Sequence, residues 1–405
     1  MEKIIVMKFG GSSVADASKI KNVAHKVVAK KKLGYKVVVV VSAPGDTTDD
    51  LIKMASDITA NPDDREMDVL LSTGEQISIS LLAMAIKELG FPVISLTGQQ
   101  VGISTTNEHT RAKIKDISTD KLFKELESDK IVIVAGFQGI NDNLDITTLG
   151  RGGSDLTAVA LAAVLKAKEC EIYTDVKGIY TTDPRVVKDA KKIDRISYDE
   201  ILEMAGLGAQ VMQSRSIEVA KKFGVVIHVR STFSNDEGTL ILEEDKNMED
   251  VVIRGVAFDR NQVKVSVLHI YDKPGVAACI FEAISKAGIN VDMIIQSTAE
   301  NNKNNISFTV SQIDLAKTLE VLKSLDGDLG DNSVIYDDNV AKISIVGVGM
   351  KSHTGVASKM FKILADNDIN INMISTSEIK ISCVIDRTKV DLAANAIHDG
   401  FKLSL

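Results

Sequence analysis

Tryptophan is absent and aromatic residues make up only 4% of the 405-residue chain, which leaves little with which to stack nucleobases. Cysteine is nearly as scarce. Cys170, Cys279 and Cys383 are odd in number, far apart and in no C-x-x-C spacing, which excludes a disulfide framework or a cysteine zinc site and fits a reducing cytoplasm. Six histidines (His25, His109, His228, His269, His353, His398) show no metal-ligand spacing and no serine or cysteine in a hydrolase motif, so they read as surface or packing residues. The longest apolar runs, 37–41 and 158–165, are too short to span a bilayer, and Lys8 with its glycine pair interrupts any signal-peptide layout. No membrane partner is expected. A net charge of −8 and a pI near 5.4 argue against a nucleic-acid surface.

What is present is an ordinary globular composition, 44% hydrophobic and 26% charged, with enough chain for two or three domains. Through residue 243, apolar runs of strand length (4–7, 37–42, 93–96, 131–135, 171–174, 225–230) alternate with segments of helical period, which reads as an α/β domain around a largely parallel sheet. The acidic, polar stretch 243–250 marks a linker. Beyond it the chain repeats itself at a constant offset: Gly275-Val276-Ala277 returns as Gly355-Val356-Ala357, Ile289-Asn290 as Ile369-Asn370, and Met293-Ile294 as Met373-Ile374. Each copy reads βαββαβ, over 263–338 and 339–405. The second copy runs out of chain, so the unassigned strand 251–259 is expected to complete it, and the copies interleave.

Ligands on parallel sheets sit at the carboxyl ends of strands, and the chemistry-bearing segments fall there. Lys8-Phe9-Gly10-Gly11-Ser12-Ser13 follows the first strand and leads into a helical pattern from residue 14 to about 32. A lysine, two glycines and two hydroxyls at such a junction suit a phosphate cradle, although the G-x-x-x-x-G-K-[ST] spacing is absent and a plain strand-to-helix turn fits as well. Ser42-Ala43-Pro44-Gly45-Asp46-Thr47 follows the second strand and Gly136–Gly139 the fourth. A second glycine nest, Arg151-Gly152-Gly153-Ser154-Asp155, stands before a helix over 156–166; Ser154 and Asp155 read as its cap, while Arg151 can fork onto a carboxylate. Glu75, in Ser72-Thr73-Gly74-Glu75 before a helix over 76–88, either answers the helix dipole or pairs with an ammonium. The segment 173–185 reads on chemistry alone as a polar hairpin with Lys177-Gly178 as its turn. Two anion cradles and no histidine base suit phosphoryl transfer to an acceptor that is already anionic: a carboxylate of pKa about 4 is ionised at neutral pH and needs no general base.

The segments 8–13, 42–49, 72–75, 151–155 and 173–185, in their order and spacing, resemble the aspartate kinases, and Asp272-Lys273-Pro274-Gly275-Val276-Ala277 with Lys351-Ser352-His353-Thr354-Gly355-Val356-Ala357 looks like the paired ACT units of the same family. The resemblance covers essentially the whole chain. It implies an amino-acid-kinase (carbamate-kinase-like) fold followed by two ferredoxin-like ACT domains, and ATP-dependent phosphorylation of the side-chain carboxylate of L-aspartate, with Mg²⁺ carried on the nucleotide. It implies Lys8 and Asp155 as catalytic residues, and Thr47, Glu75, Arg151, Gly152, Gly153 and Ser154 around aspartate. Gly10, Gly11, Ser12, Ser42, Thr174, Asp175, Tyr180, Asp183 and Arg185 fall at the nucleotide, which replaces the hairpin reading of 173–185. No protein-held metal is implied.

The same resemblance implies feedback inhibition by lysine, threonine or both, through Asp272, Gly275, Asn290, Gln296 and Asn370. Turn chemistry before a strand remains open for Asn290 and Asn370. A homo-oligomer, and a shorter regulatory chain starting at Met248, are further implications. Pro44 stands where the family often has methionine. Thr354 stands where the second repeat often has proline, which favours the first repeat as the effector site. The competing readings are another amino-acid-family kinase, acting on glutamate or uridylate, and a non-catalytic amino-acid sensor.

Overall fold

Five consecutive valines, 37–41, have no solvent exposure, as a strand covered on both faces requires; β-branched side chains are stiff and pack well on such a pleated surface. The computed structural model describes residues 3–206, 212–244, 252–297, 302–325, 333–351 and 353–404. The chain divides into two compact units. One is drawn from 1–179, 192–205 and 210–245, and the other from 180–191, 206–209 and 246–405.

In the first unit an eight-stranded sheet runs in the order Arg195–Ser197, Thr239–Leu242, Ile227–Ser231, Cys170–Thr174, Ile4–Phe9, Lys36–Val41, Ile131–Ala135, Val93–Leu96, and only the pairing of Ile227–Ser231 with Thr239–Leu242 is antiparallel. Ile5, Met7 and Phe9 alternate into the core that the sheet shares with helices Ala17–Lys32 and Asp64–Glu88. Lys8 therefore faces the other way, toward helix Gly153–Val164.

Three helices begin elsewhere than the sequence pattern predicts, each for a local reason. The helix expected from residue 14 starts at Ala17, because the Asp16 carboxylate accepts the N–H groups of Ser18 and Lys19; Gly11–Ser13 forms a separate 3-10 turn. The helix expected from 76 starts twelve residues earlier at Asp64, capped in the same way by Asp63. The helix expected from 156 starts at Gly153 with Gly152 as its cap, so Ser154 and Asp155 lie inside its first turn and do not cap it.

Helix Asp64–Glu88 is long and apolar enough to cross a membrane by length and composition, but half of its apolar window is buried, with Ile79, Leu82 and Ile86 in the sheet core. Its Asp68, with no solvent exposure, also anchors the small sheet Ile114–Ile117, Ile103–Thr105, Gln138–Ile140, Ile146–Thr148. The carboxylate accepts the Thr110 N–H at 3.0 Å and the Thr148 hydroxyl at 2.5 Å, and meets His109 Nδ1 at 2.7 Å.

The second unit carries one antiparallel sheet in the order Val291–Gln296, Lys303–Ser311, Gly255–Tyr271, Ser333–Val346, Lys380–Asp386, Met373–Thr376. Its two middle strands serve both repeats: residues 255–259 pair with 342–346, and 264–268 with 333–337. The strand expected at 251–259 and the first strand of the copy that opens at 263 are one strand, since Asp259-Arg260-Asn261 forms an irregularity in the ladder instead of a break, with Asp259 accepting the N–H of Asn261 at 2.8 Å. Residues 401–404 form turns. Lys342, almost fully buried in the second repeat, pairs with Asp292 of the first.

Removing Asp68 leaves three partners unsatisfied, the buried Thr148 hydroxyl and the half-buried His109 ring and Thr110 N–H. Asp68→Ala is expected to lower stability by about 3 kcal/mol, read from urea denaturation, and Thr148→Val by about 1 kcal/mol.

Candidate active site

Strand Ile4–Phe9 is the switch point of the parallel sheet, since the chain passes from it to Lys36–Val41 on one side and Cys170–Thr174 lies on the other. The loops leaving these carboxyl ends are tied together by backbone bonds: Gly10 N–H to Tyr173 O (3.3 Å), Ser42 N–H to Phe9 O (3.1 Å) and Gly136 N–H to Val41 O (3.1 Å). Gly11 is needed for this closeness. A Cβ there would stand 2.7 Å from the Ala43 carbonyl oxygen, and Gly11 O accepts the Gly45 N–H at 3.0 Å. Sequence reasoning missed a further tie, the hydrogen bond of 2.6 Å between the buried hydroxyls of Ser13 and Thr232; Thr232 N–H in turn donates to Thr174 O at 2.9 Å.

Lys8 Nζ and Asp155 Oδ1 form an ion pair of 2.6 Å, with about a tenth of each side chain exposed. Asp155 is free to do this because Gly152, at φ 71°, takes the cap position; a side chain there would also collide with Gln213. A Cβ on Gly10 would lie 3.7 Å from Lys8 Nζ, so the bare α-carbon keeps space beside the ammonium. The 3-10 turn Gly11–Ser13 follows, and the first N–H groups of such a turn have no partner within it. The arrangement offers a desolvated cation and backbone donors at one point, the requirements for neutralising a phosphoryl group. They come without the long helix that the sequence pattern placed directly behind Ser13.

Glu75 sits midway along helix Asp64–Glu88, which removes the helix-dipole reading of its charge. It is 3% exposed; Oε1 accepts the Ala43 N–H at 3.1 Å, and Oε2 has no partner among the described residues. Burial pushes its carboxyl up to about 7. Thr47 opens the helix Thr47–Ile58 after the same loop, its hydroxyl donating to Pro44 O at 2.6 Å. Ser154 is buried against Gly136, where a Cβ would come within 2.7 Å of its hydroxyl. Arg151 is exposed and makes no ion pair with a described residue. Arg215, which no sequence signal marked, donates to Leu149 O (2.8 Å) and Ala112 O (3.2 Å) and so fixes the strand end ahead of the Arg151 nest.

Thr174 ends its strand and its hydroxyl accepts the Val176 N–H at 3.1 Å; Asp175 is exposed beside it. Tyr180, Asp183 and Arg185 belong to the second unit, so the described structure does not gather them with the other nucleotide candidates in one compact body. Arg185 donates to Asp183 through Nε and Nη2 (3.0 and 2.7 Å) and holds the Asp183 carboxyl below the usual range. Among the effector candidates, Asp272 accepts the Asn304 amide at 3.1 Å, Gly275 caps helix Val276–Lys286 in the left-handed conformation, and Asn290, Gln296 and Asn370 are exposed. Met248 lies outside the described residues. Among those residues no group of three His, Cys, Asp or Glu side chains is placed to hold a metal ion.

The amino acid kinase family matches residues 3–231, and the ACT domain family matches 265–324 and 343–401. An aspartokinase of Mycolicibacterium smegmatis is 49% identical over 405 residues, covering 99% of this chain and 96% of that protein. One of Bacillus sp. (strain MGA3) is 50% identical over 401 residues, covering 99% and 98%. Among solved structures, E. coli aspartokinase III in complex with aspartate and ADP (R-state) superposes with a TM-score of 0.82 at 27% identity, covering 98% of this chain and 99% of that one. The same enzyme in complex with lysine and aspartate (T-state) gives 0.77 at 26%, covering 98% and 99%. By sequence and by fold, the chain belongs to the amino acid kinase family and, within it, to the aspartokinases, enzymes that here carry C-terminal ACT domains.

Proposed function

We propose that this aspartate kinase transfers the γ-phosphoryl group of ATP to the side-chain carboxylate of L-aspartate at the carboxyl end of strand Ile4–Phe9, giving 4-phospho-L-aspartate. The observation that carries this reading is the near-buried Lys8–Asp155 pair beside the open α-carbon of Gly10. The transition state spreads negative charge over the transferring group, and Lys8 with the N–H groups following Gly10, at Gly11 and Ser12, neutralises it. Asp155 keeps the Lys8 ammonium aimed. ATP supplies the phosphoryl group, and Mg²⁺ arrives on its phosphate oxygens.

The acceptor carboxylate is ionised at neutral pH, so the site needs no base. Glu75 Oε2, buried and unpartnered in the free protein, suits the ammonium of aspartate, and Arg151 suits its carboxylate. Thr47, Gly152, Gly153 and Ser154 line the acceptor side. Ser42, Thr174, Asp175, Tyr180, Asp183 and Arg185 serve the nucleotide.

Lysine, threonine or both bind at the ACT repeats through Asp272, Gly275, Asn290, Gln296 and Asn370, and lower activity. Among the described residues, strands Val291–Gln296 and Met373–Thr376 are the end strands of the sheet, which favours pairing with a second copy into a homo-oligomer. Nothing in this reading calls for nucleic acid or a membrane, and the free thiols of Cys170, Cys279 and Cys383 suit a reducing cytoplasm.

Hydroxylamine trapping of the acyl phosphate is expected with ATP and aspartate; turnover only with glutamate or UMP overturns the assignment. Lys8→Ala is expected to lower kcat by at least about 10² with the fold intact by circular dichroism.

Glu75 generates a pH dependence. Its carboxyl, near 7 in the free enzyme, must be ionised to meet an ammonium, so kcat/KM for aspartate is expected to rise about tenfold per pH unit below 7 and level off above it. Glu75→Gln is expected to remove that slope and raise the KM for aspartate. A carboxyl raised by folding stabilises the native state below its unfolded pKa, and that contribution is lost as pH rises to 7. Glu75→Gln is therefore also expected to stabilise the free protein at pH 8, by up to about 3 kcal/mol in chemical denaturation.

A further inference from the structure

Residues 180–191 carry three of the nucleotide candidates yet form no helix or strand of length, so something else must hold their shape. Within the segment, Thr181 N–H donates to Lys191 O at 2.9 Å and Lys191 N–H returns to the Thr181 hydroxyl at 3.0 Å, closing the two ends on each other. The other ties come from the second ACT repeat. Thr181 O accepts the Val256 N–H at 2.7 Å, from the strand segment that pairs with 342–346. Val187 is buried in the core of that repeat with Ile253, Val356, Met360 and Ile397, and Asn395 donates to Val186 O at 3.4 Å. His398, on the last helix Val390–Gly400 and with no solvent exposure, places Nε2 2.9 Å from the Thr181 hydroxyl.

His398 is a poor choice for filling space. Its neighbours on the helix, Ala393, Ala394 and Ile397, pack as apolar groups, whereas the imidazole buries two polar nitrogens and its Nδ1 has no hydrogen-bond partner among the described residues. An aliphatic residue there would carry no such penalty. Burial holds the ring neutral. The bond to Thr181 is what a histidine gains, and Thr181 is flanked by Tyr180 on one side and, two residues on, by Asp183 with its bidentate Arg185.

We propose that His398 is a positioning residue for the nucleotide: through Thr181 it fixes the posture of the segment that presents Tyr180, Asp183 and Arg185, so that the second ACT repeat sets ATP affinity. This rests on the reading that those three residues meet ATP.

The test is steady-state kinetics on the full-length enzyme with ATP and aspartate varied separately, together with thermal melting. His398→Leu is expected to raise the KM for ATP about fivefold, the size of one lost hydrogen bond, and Thr181→Val, which also strips the Lys191 N–H of its acceptor, at least as much, while kcat and the KM for aspartate stay within about twofold. Thr181→Ser and His398→Gln, which keep a hydroxyl and a nitrogen at the same reach, are expected to stay near the parent value. The double variant Thr181→Val/His398→Leu is expected to be no worse than Thr181→Val alone, since the His398 bond is already lost there. A lowered melting temperature with an unchanged KM for ATP, or equal rises in both KM values, overturns the proposal in favour of a purely structural bond. Arg185→Ala separates the two levels: if it raises the KM for ATP while Thr181→Val and His398→Leu do not, only the positioning role fails; if it too leaves ATP unaffected, the nucleotide reading fails.

Discussion

A cation held almost out of water at the tip of a parallel strand is the feature on which the first unit depends. Lys8 has to reach across to helix Gly153–Val164, and three local choices make that possible. The period-2 alternation of strand Ile4–Phe9 puts Ile5, Met7 and Phe9 into one core and leaves Lys8 on the opposite face. Gly152 caps the helix without a side chain, so the Asp155 carboxylate is not consumed by backbone N–H groups. Gly10 leaves the far side of the ammonium open. A pair this dry is weak evidence of stabilisation, because desolvating both charges costs about as much as their attraction returns. Its value, on the reading proposed above, is that the charge is already stripped of water at the point where negative charge would develop.

Glu75 shows the complementary strategy. Its carboxyl is buried with one oxygen accepting the Ala43 N–H and the other without a partner among the described residues, so ionising it carries a desolvation cost that a neighbouring cation would offset. Lys8 and Glu75 differ in that one meets a charged partner supplied by the chain and the other meets none among the described residues. A buried carboxylate oxygen left open in this way suits a ligand that brings a positive charge, which is the role proposed for it above.

The longer strands of the first unit were legible: the run 131–135 coincides with an observed strand because full burial on both faces leaves an unbroken apolar signature, whereas the short strands Ile103–Thr105, Ile114–Ile117, Gln138–Ile140, Ile146–Thr148, Arg195–Ser197 and Thr239–Leu242 were not expected from the sequence. Helix starts were less legible. Asp16 and Asp63 cap helices that hydrophobic periodicity began later or earlier, and the twelve-residue displacement at Asp63 changes Glu75 from a first-turn acid to a buried mid-helix one. Ties between residues far apart in sequence, Ser13 with Thr232 or Arg215 with Ala112, leave no local pattern and appear only in the fold. The same holds for 180–191, whose motif reads as part of the kinase segment while Val187 packs in the second repeat's core.

The two repeats show how duplicated sequence is put to separate uses. Phe308 stands opposite Ile294 as Cys383 stands opposite Ile374, so the two are equivalent, and four residues back the first repeat has Asn304 where the second has Ile379. Asn304 is buried, donates to Asp272 and keeps its Oδ1 unpartnered; an isoleucine offers nothing to a polar effector. On the last helices, starting at Leu315 and Val390, the buried Leu322 and Ile397 correspond, and the next residue is the exposed Lys323 in one repeat and the fully buried His398 in the other. One copy thus retains polar groups beside its left-handed glycine, and the other has turned the matching helix inward onto Thr181. A core position changes from solvated lysine to buried histidine only where a fixed hydrogen-bond partner offsets desolvation, so the divergence follows from which copy the segment 180–191 packs against.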